Sequence, residues 1–332
     1  MQNFIFLIFL LLLNCVKYNK VYQRTFFKFD TILTITIVDD ISEDKFEKIS
    51  SEITNLANKY DLIFNIYNKN SEVYKISKFQ NSKKYKISSQ LYNLIKESFK
   101  FYNLTDGLFD PTIGIITTRY YKFNQAELEL KLDEMKKDLN NVGLNNIELY
   151  GSNFIKLKKT PIILDLGGCA KGYIIDRIAD YLKSENIKNF LINIGGDIYA
   201  KGKNFRNENW QIGIQHPREK NEIIYKIEIS DKAVTTSGDY ERYIKYKKRK
   251  IHHIIDPKTG ISIQNNIVST TIIASNATIA DFLSTSIFLL GKEKGIKMLE
   301  KNFKDVQYVI IFETNEKLLT ESNIPEIKKK FW

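Results

Sequence analysis

The pattern that most restricts this fold lies in residues 161–197. A short, mostly apolar run at 162–166 leads into Gly167-Gly168, and a second run, Phe190-Leu191-Ile192-Asn193-Ile194, ends in Gly195-Gly196. Short apolar runs closed by glycine turns predict strands, and the stretch at 171–183 between them is long enough for a helix. The order strand, glycine turn, helix, strand, glycine turn places helices against mixed sheets, the α+β class.

Other segments extend the same reading. Thr31-Ile32-Leu33-Thr34-Ile35-Thr36-Ile37 alternates apolar and hydroxyl residues as a half-buried strand does. Phe46, Ile49, Ile53, Leu56, Tyr60 and Ile63 recur at spacings of three and four, one face of a long helix. Leu91, Leu94, Ile95, Phe99 and Tyr102 predict a second helix, ended by Asp106-Gly107. A lysine- and glutamate-rich helix is expected at 126–139, then a hairpin turning at Tyr150-Gly151-Ser152-Asn153. Strands follow between Trp210 and Ala274, a helix begins near Asn276, and the strand Tyr308-Val309-Ile310-Ile311-Phe312 closes the fold. No Pro-, Gly- or Ser-rich linker divides the chain, so one domain with closely packed lobes is expected from 332 residues.

The run from Phe4 to Leu13 is too short to cross a bilayer and reads as the hydrophobic region of a signal peptide. No small-residue cleavage pattern follows it. Instead Leu12-Leu13-Asn14-Cys15 resembles a relaxed lipobox, in which Cys15 is lipidated and becomes the mature N-terminus. Residues 1–15 are then a lipoprotein signal peptide, 16–25 a tether and 26–332 the folded domain. The expected location is the bacterial cell envelope: exported and lipid-anchored, on the periplasmic face of the inner membrane. Only Cys169 remains after acylation, so no intrachain disulfide is expected. The net charge of +11 comes from scattered lysines, with short clusters at 247–250 and 328–330. No recognition motif accompanies it, so it reads as a solvated face and nucleic acid is not an expected partner.

Four segments carry candidate chemistry. In Asp165-Leu166-Gly167-Gly168-Cys169-Ala170-Lys171, glycines before a helix let backbone N–H groups face an anion, with Lys171 in the first turn. Asn193-Ile194-Gly195-Gly196-Asp197 repeats the glycine pair with a carboxylate behind it. Thr235-Thr236-Ser237-Gly238-Asp239-Tyr240 is followed by His252-His253-Ile254-Ile255-Asp256-Pro257-Lys258-Thr259-Gly260, which holds two of the three histidines of the chain. Finally, Asp281 and Thr285 fall one helical turn apart on one face, two oxygen ligands suited to Mg²⁺. On its own the pair is better described as a helix-favouring aspartate and a packed threonine.

The order and wording of these segments, with Thr105-Asp106-Gly107-Leu108-Phe109-Asp110-Pro111-Thr112 before them, resemble the ApbE family of FAD:protein FMN transferases from about Phe26 to the last strand. The resemblance implies a T-fold-related α+β architecture of mixed sheets and packed helices in two associated lobes. It implies Mg²⁺ held by the backbone carbonyl of Ala170 and the side chains of Asp281 and Thr285. FAD, the substrate, is expected against Leu108, Phe109 and Asp110, the loop from Asp165 through Gly168 to Lys171, and His253 with Ile254, with Tyr67 offering a ring. Two departures affect the first lobe: Asn65 stands where the family often has serine, and residues 115–121 lack its usual tryptophan.

In the family reaction a threonine hydroxyl of an acceptor protein attacks the phosphorus on the FMN side of FAD, and AMP leaves. His253 is the candidate base, with Asp256 and Ser237 as orienting neighbours. The expected acceptor is an outward-facing subunit of a membrane redox pump or another exported flavoprotein. Two alternatives are an FAD pyrophosphatase, in which water replaces the threonine, and a non-catalytic flavin-binding lipoprotein, which needs no Asp281/Thr285 pair.

Overall fold

The computed structural model describes residues 20–121, 131–219, 221–246, 249–314 and 317–325. The chain opens with β1 (Tyr22–Lys28), β2 (Thr31–Ile37), α1 (Glu43–Phe64), α2 (Glu72–Ile76), β3 (Lys84–Lys86) and α3 (Ser89–Leu104). There follow α4 (Gly114–Tyr120), α5 (Leu132–Leu139), β4 (Ile147–Tyr150), β5 (Phe154–Leu157), α6 (Ala170–Ser184), β6 (Phe190–Ile194) and β7 (Asp197–Lys201). The second half adds β8 (Trp210–Gln215), β9 (Ile223–Ile229), β10 (Lys232–Gly238), β11 (Tyr243–Tyr246), β12 (Arg249–His252) and β13 (Ile267–Ala274). It ends with α7 (Ala277–Leu290), α8 (Lys292–Asn302), β14 (Gln307–Thr314) and β15 (Lys317–Ser322).

Eight strands form one sheet in the order β1-β2-β6-β7-β10-β13-β14-β15, every neighbouring pair antiparallel. In β2 the alternation sorts the faces: Leu33, Ile35 and Ile37 are buried and the threonines between them half-buried. Helices α1, α3, α6 and α7 cover that face and build the main core with it. The β8–β9 hairpin covers the other face of the sheet, placing Trp210, Ile212 and Ile214 against Val234, Ile273 and Val309. The central strand β13 is therefore buried at every residue, as a strand covered on both faces must be. A third cluster joins Ile115 and Ile116 of α4 and Met135 of α5 to Ile244, Ile251 and Ile255 beside the β11–β12 hairpin. The class is α+β, as the sequence predicts.

Helix α1 buries Phe46, Ile49, Ile53, Tyr60 and Ile63, and its N-cap Ser42 accepts from Lys45 N at 3.2 Å. The pair α6 and α7 matters most for the site. Asp176 of α6 accepts from Ala277 N and Thr278 N, both at 2.8 Å, which satisfies the exposed donors at the start of α7 and fixes the two helices together.

Three expectations need correction. Residues 162–166 are not a ladder strand: Ile163 makes one isolated parallel bridge to Ile113, and Asp165 N donates to Pro111 O at 2.7 Å. The run is apolar because Ile162, Leu164 and Leu166 are buried in the main core, a burial that pattern alone cannot distinguish from a sheet. The tether is shorter than 16–25, because Tyr22 is buried and pairs with Ile37. The strand at 308–312 is not the last, since β15 pairs with it. The helix at 126–139 is described from Leu132 on, and its earlier residues lie outside the described ones. So do Cys15, Lys247, Lys248 and the cluster at 328–330.

Candidate active site

A cavity of about 500 Å³ opens between the end of α1, the β1–β2 turn, the 108–113 turn, the 165–171 loop, the end of β10, residues 253–255 and α7. Each wall has a local cause. Thr105 donates to Phe101 O at 2.7 Å and accepts from Phe109 N at 2.8 Å, while Asp106 and Gly107 take positive φ. The turn thereby sends Phe109 into the core between Phe101 and Phe282, ring centroids 6.1 and 5.0 Å away. Asp110 accepts from Thr112 N at 2.9 Å, Thr112 Oγ1 at 2.6 Å and Leu144 N at 3.0 Å. Burial pushes its pKa up against these donors, and the carboxylate shapes the turn from inside the wall. Asp165 braces the opposite loop, accepting from Gly167 N at 2.9 Å and Thr117 Oγ1 at 2.8 Å.

Helix α6 begins without a side-chain cap from Cys169. Gly172 N donates instead to Asp281 Oδ2 at 2.9 Å, which is how a carboxylate of α7 comes to the start of α6. Glycine is required there, because a Cβ at 172 would stand 2.2 Å from Ala277 O and 2.7 Å from Asp281 Cβ. Burial, and then the charge of Asp197, push the pKa of Asp281 well above the usual carboxylate range, while Lys171 opposes them. Thr285 Oγ1 donates to Gly168 O at 3.3 Å and lies 3.2 Å from Ser237 Oγ, which is 2.9 Å from Ser284 Oγ. Ser237 thus stands beside the Asp281/Thr285 face. Lys171 Nζ lies 2.5 Å from Asp197 Oδ2. Burial works to lower its pKa, but Asp197 and Asp281 outweigh it and keep the ammonium charged.

His253 lines the cavity, its backbone N donating to Arg242 O at 3.0 Å. The residue is half-buried, and the protein around it pushes its pKa down to about 4: desolvation leads, the Arg242 carbonyl 3.3 Å from Nδ1 opposes it, and the charges of Arg242, His252 and Lys171 add to it. It is a neutral imidazole at pH 7. His252 instead is buried edge-on to Phe288, ring centroids 5.5 Å apart, with Nδ1 accepting from Ile254 N at 3.3 Å.

Of the residues singled out from sequence, Tyr67, Leu108, Phe109, Asp110, Asp165, Gly168, Ala170, Lys171, Ser237, His253, Ile254, Asp281 and Thr285 all line this one cavity. Asp256 does not: it accepts from Lys258 N at 2.8 Å within the turn closed by Gly260 N and Asp256 O. Sequence reasoning gave no site role to Glu241 and Arg242, which line the cavity, or to Asp197. Asp197 stood within its segment as the carboxylate behind a glycine pair, and Glu241 and Arg242 directly followed Asp239-Tyr240.

Among the described residues no three His, Cys, Asp or Glu side chains cluster as a metal-holding group. Mg²⁺ needs less, usually one or two carboxylates together with water and substrate phosphates. Asp281 Oδ1 accepts no hydrogen bond among the described residues, and Thr285 and Ala170 share its cavity wall. This oxygen-only set fits a hard divalent cation.

The profile of the ApbE family matches residues 29–310, and the chain belongs to that family. The chain is 30% identical over 271 residues to the FAD:protein FMN transferase of Vibrio cholerae serotype O1, covering 81% of this chain and 80% of that one. To the FAD:protein FMN transferase of Haemophilus influenzae it is 29% identical over 318 residues, covering 93% and 91%. Among solved structures, the flavin transferase ApbE from Vibrio cholerae matches with a TM-score of 0.82 at 27% identity, covering 92% of this chain and 98% of that one. The ApbE protein of Thermotoga maritima matches with a TM-score of 0.78 at 30% identity, covering 88% and 94%.

Proposed function

We propose that this chain is an FAD:protein FMN transferase that moves FMN from FAD onto a threonine hydroxyl of an acceptor protein, with Mg²⁺ as cofactor and AMP as the leaving product. One observation carries the reading: the Asp281/Thr285 oxygen set, the start of α6 with its charged Lys171, and a neutral histidine open into a single cavity. Family membership and the names of the relatives support the same reaction.

The reaction forms a bond between the threonine oxygen and the phosphorus of the FMN half. It breaks the bridge to the AMP half, and AMP departs with the bonding electrons. His253 is the acceptor for the hydroxyl proton, and its low pKa leaves the ring unprotonated and able to take it. The anionic pyrophosphate, once bound, raises that pKa by Coulombic attraction, so the ring becomes a stronger base when substrate is present. The Lys171 ammonium holds the phosphates, and the apolar wall of Leu108, Phe109 and Ile254 receives the rings. Ala170, Asp281 and Thr285 would hold Mg²⁺, whose charge offsets that of the pyrophosphate.

The same reading includes export and a lipid anchor at Cys15, supported by the apolar run at 4–13 directly before it. It also includes an acceptor in the envelope, such as a redox-pump subunit. The enzymatic reading is tested by following AMP released from FAD with and without Mg²⁺. Magnesium-dependent release abolished by a chelator is expected. FAD binding with no release under any metal would make the protein a flavin binder.

A further inference from the structure

Lys171 stands between two carboxylates, and one of them holds it. Its Nζ is 2.5 Å from Asp197 Oδ2, while Asp281 accepts from the backbone N of the next residue, Gly172, at 2.9 Å and lines the same cavity as Lys171. Asp197 is fixed by the central sheet. It opens β7 directly after the Gly195-Gly196 turn, is buried, and accepts from Thr236 N of β10 at 3.1 Å. Both strands belong to the central sheet.

A lysine ammonium is a point charge on a flexible stem, so without an anchor it moves to the strongest anion in reach. Asp281 offers such an anion, with an oxygen that no hydrogen bond occupies and that the cation requires. We propose that Asp197 is a positioning residue that holds the Lys171 ammonium off Asp281, keeping the Asp281 oxygen open for the divalent cation. Asp197 meets the ammonium as an ion pair through Oδ2, and ammonium donors remain for the phosphate of the substrate. This rests on the reading above that Asp281 and Thr285 hold that cation.

The test is Asp197→Asn, which keeps the shape and the acceptor for Thr236 N but removes the charge. Changing one charge alters cation affinity through the field alone, so a crystal structure of the metal-free variant decides the question. It should show Nζ in ion-pair contact with Asp281. Mn²⁺ titration followed by electron paramagnetic resonance, without FAD, should show affinity lowered at least about tenfold. Adding Lys171→Met should restore the affinity to near wild type. A variant whose Nζ stays away from Asp281, whether turned to Glu241 or to solvent, overturns the proposal. If Asp197→Asn does not fold, Lys171→Met alone carries the test: it must bind Mn²⁺ at least as tightly as wild type, and weaker binding overturns the proposal. Wild-type protein whose Mn²⁺ binding is absent, or is unaffected by Asp281→Asn, overturns the cation assignment itself and this proposal with it.

Discussion

Replacing Gly172 by alanine sets two known effects against each other at the junction of α6 and α7. Alanine in place of glycine in a helix is worth up to about 1 kcal/mol in favour of the variant, less near a helix start. Against this, the new Cβ would stand 2.2 Å from Ala277 O, where real Cβ contacts stay above 3.0 Å. The obstacle is backbone, and Asp176 ties that end of α7 to α6, so no side chain can swing aside. Overpacking of this kind costs roughly 1–3 kcal/mol, and the upper end applies when the backbone must retreat. The net expectation is a loss of about 1–2 kcal/mol, seen as a fall in Tm of roughly 1.5–3 °C in a chain of this size. The retreat of α7 also stretches the 2.9 Å bond from Gly172 N to Asp281. A displacement near 1 Å in a catalytic constellation costs about 10²-fold in rate. Differential scanning calorimetry and AMP release from FAD measure the two effects. A raised Tm with wild-type turnover would refute the reasoning, because propensity would then have won and the contact would not be tight.

Asp281→Asn should abolish Mg²⁺-dependent AMP release yet raise the metal-free Tm. The folded pKa of Asp281 is raised, so its contribution to stability is fully present below the usual carboxylate pKa and lost as pH rises through the folded value, and a Tm unchanged at pH 7 would contradict that. Thr285→Val should give the same activity defect more mildly, and wild-type magnesium dependence in that variant would remove Thr285 from the cation site. His253→Ala should lower transfer by roughly 10²–10⁴-fold while FAD affinity is largely kept. With its pKa near 4 in the free enzyme, the histidine limb of kcat/KM should lie near pH 4, and a limb near 6.5 that vanishes in the variant would contradict the geometry. Fatty-acid labelling should mark the wild-type protein and not Cys15→Ala, and an unlabelled wild type would end the lipoprotein reading.

The sequence made some elements legible because their physics is local. The three-four spacing from Phe46 to Ile63 needed only one buried face to become α1, and the alternation at 31–37 needed only a two-faced sheet to become β2. Residues 162–166 misled for the same reason. Alternating burial of Ile162, Leu164 and Leu166 is satisfied by helices and a neighbouring extended segment as well as by a ladder. At the site, residues inside glycine-bearing phrases were found, while pairings across the chain were not. The contact of Lys171 with Asp197 joins a helix start to a strand start 26 positions on, and no spacing rule announces it. Asp256 was equally opaque: its Oδ1 accepts from Lys258 N within its own turn, a local bond that in sequence looks like a carboxylate held ready.

The measurement closest to the central claim is the intact mass of an acceptor. The purified protein, FAD and Mg²⁺ are incubated with a threonine-bearing envelope flavoprotein of the same cell, and with its threonine-to-alanine variant as control. The acceptor should gain the mass of one FMN through a phosphoester bond, AMP should appear in equal amount, and the control should gain nothing. FMN and AMP released free in solution while every acceptor keeps its mass would contradict transfer and make the enzyme a hydrolase of FAD.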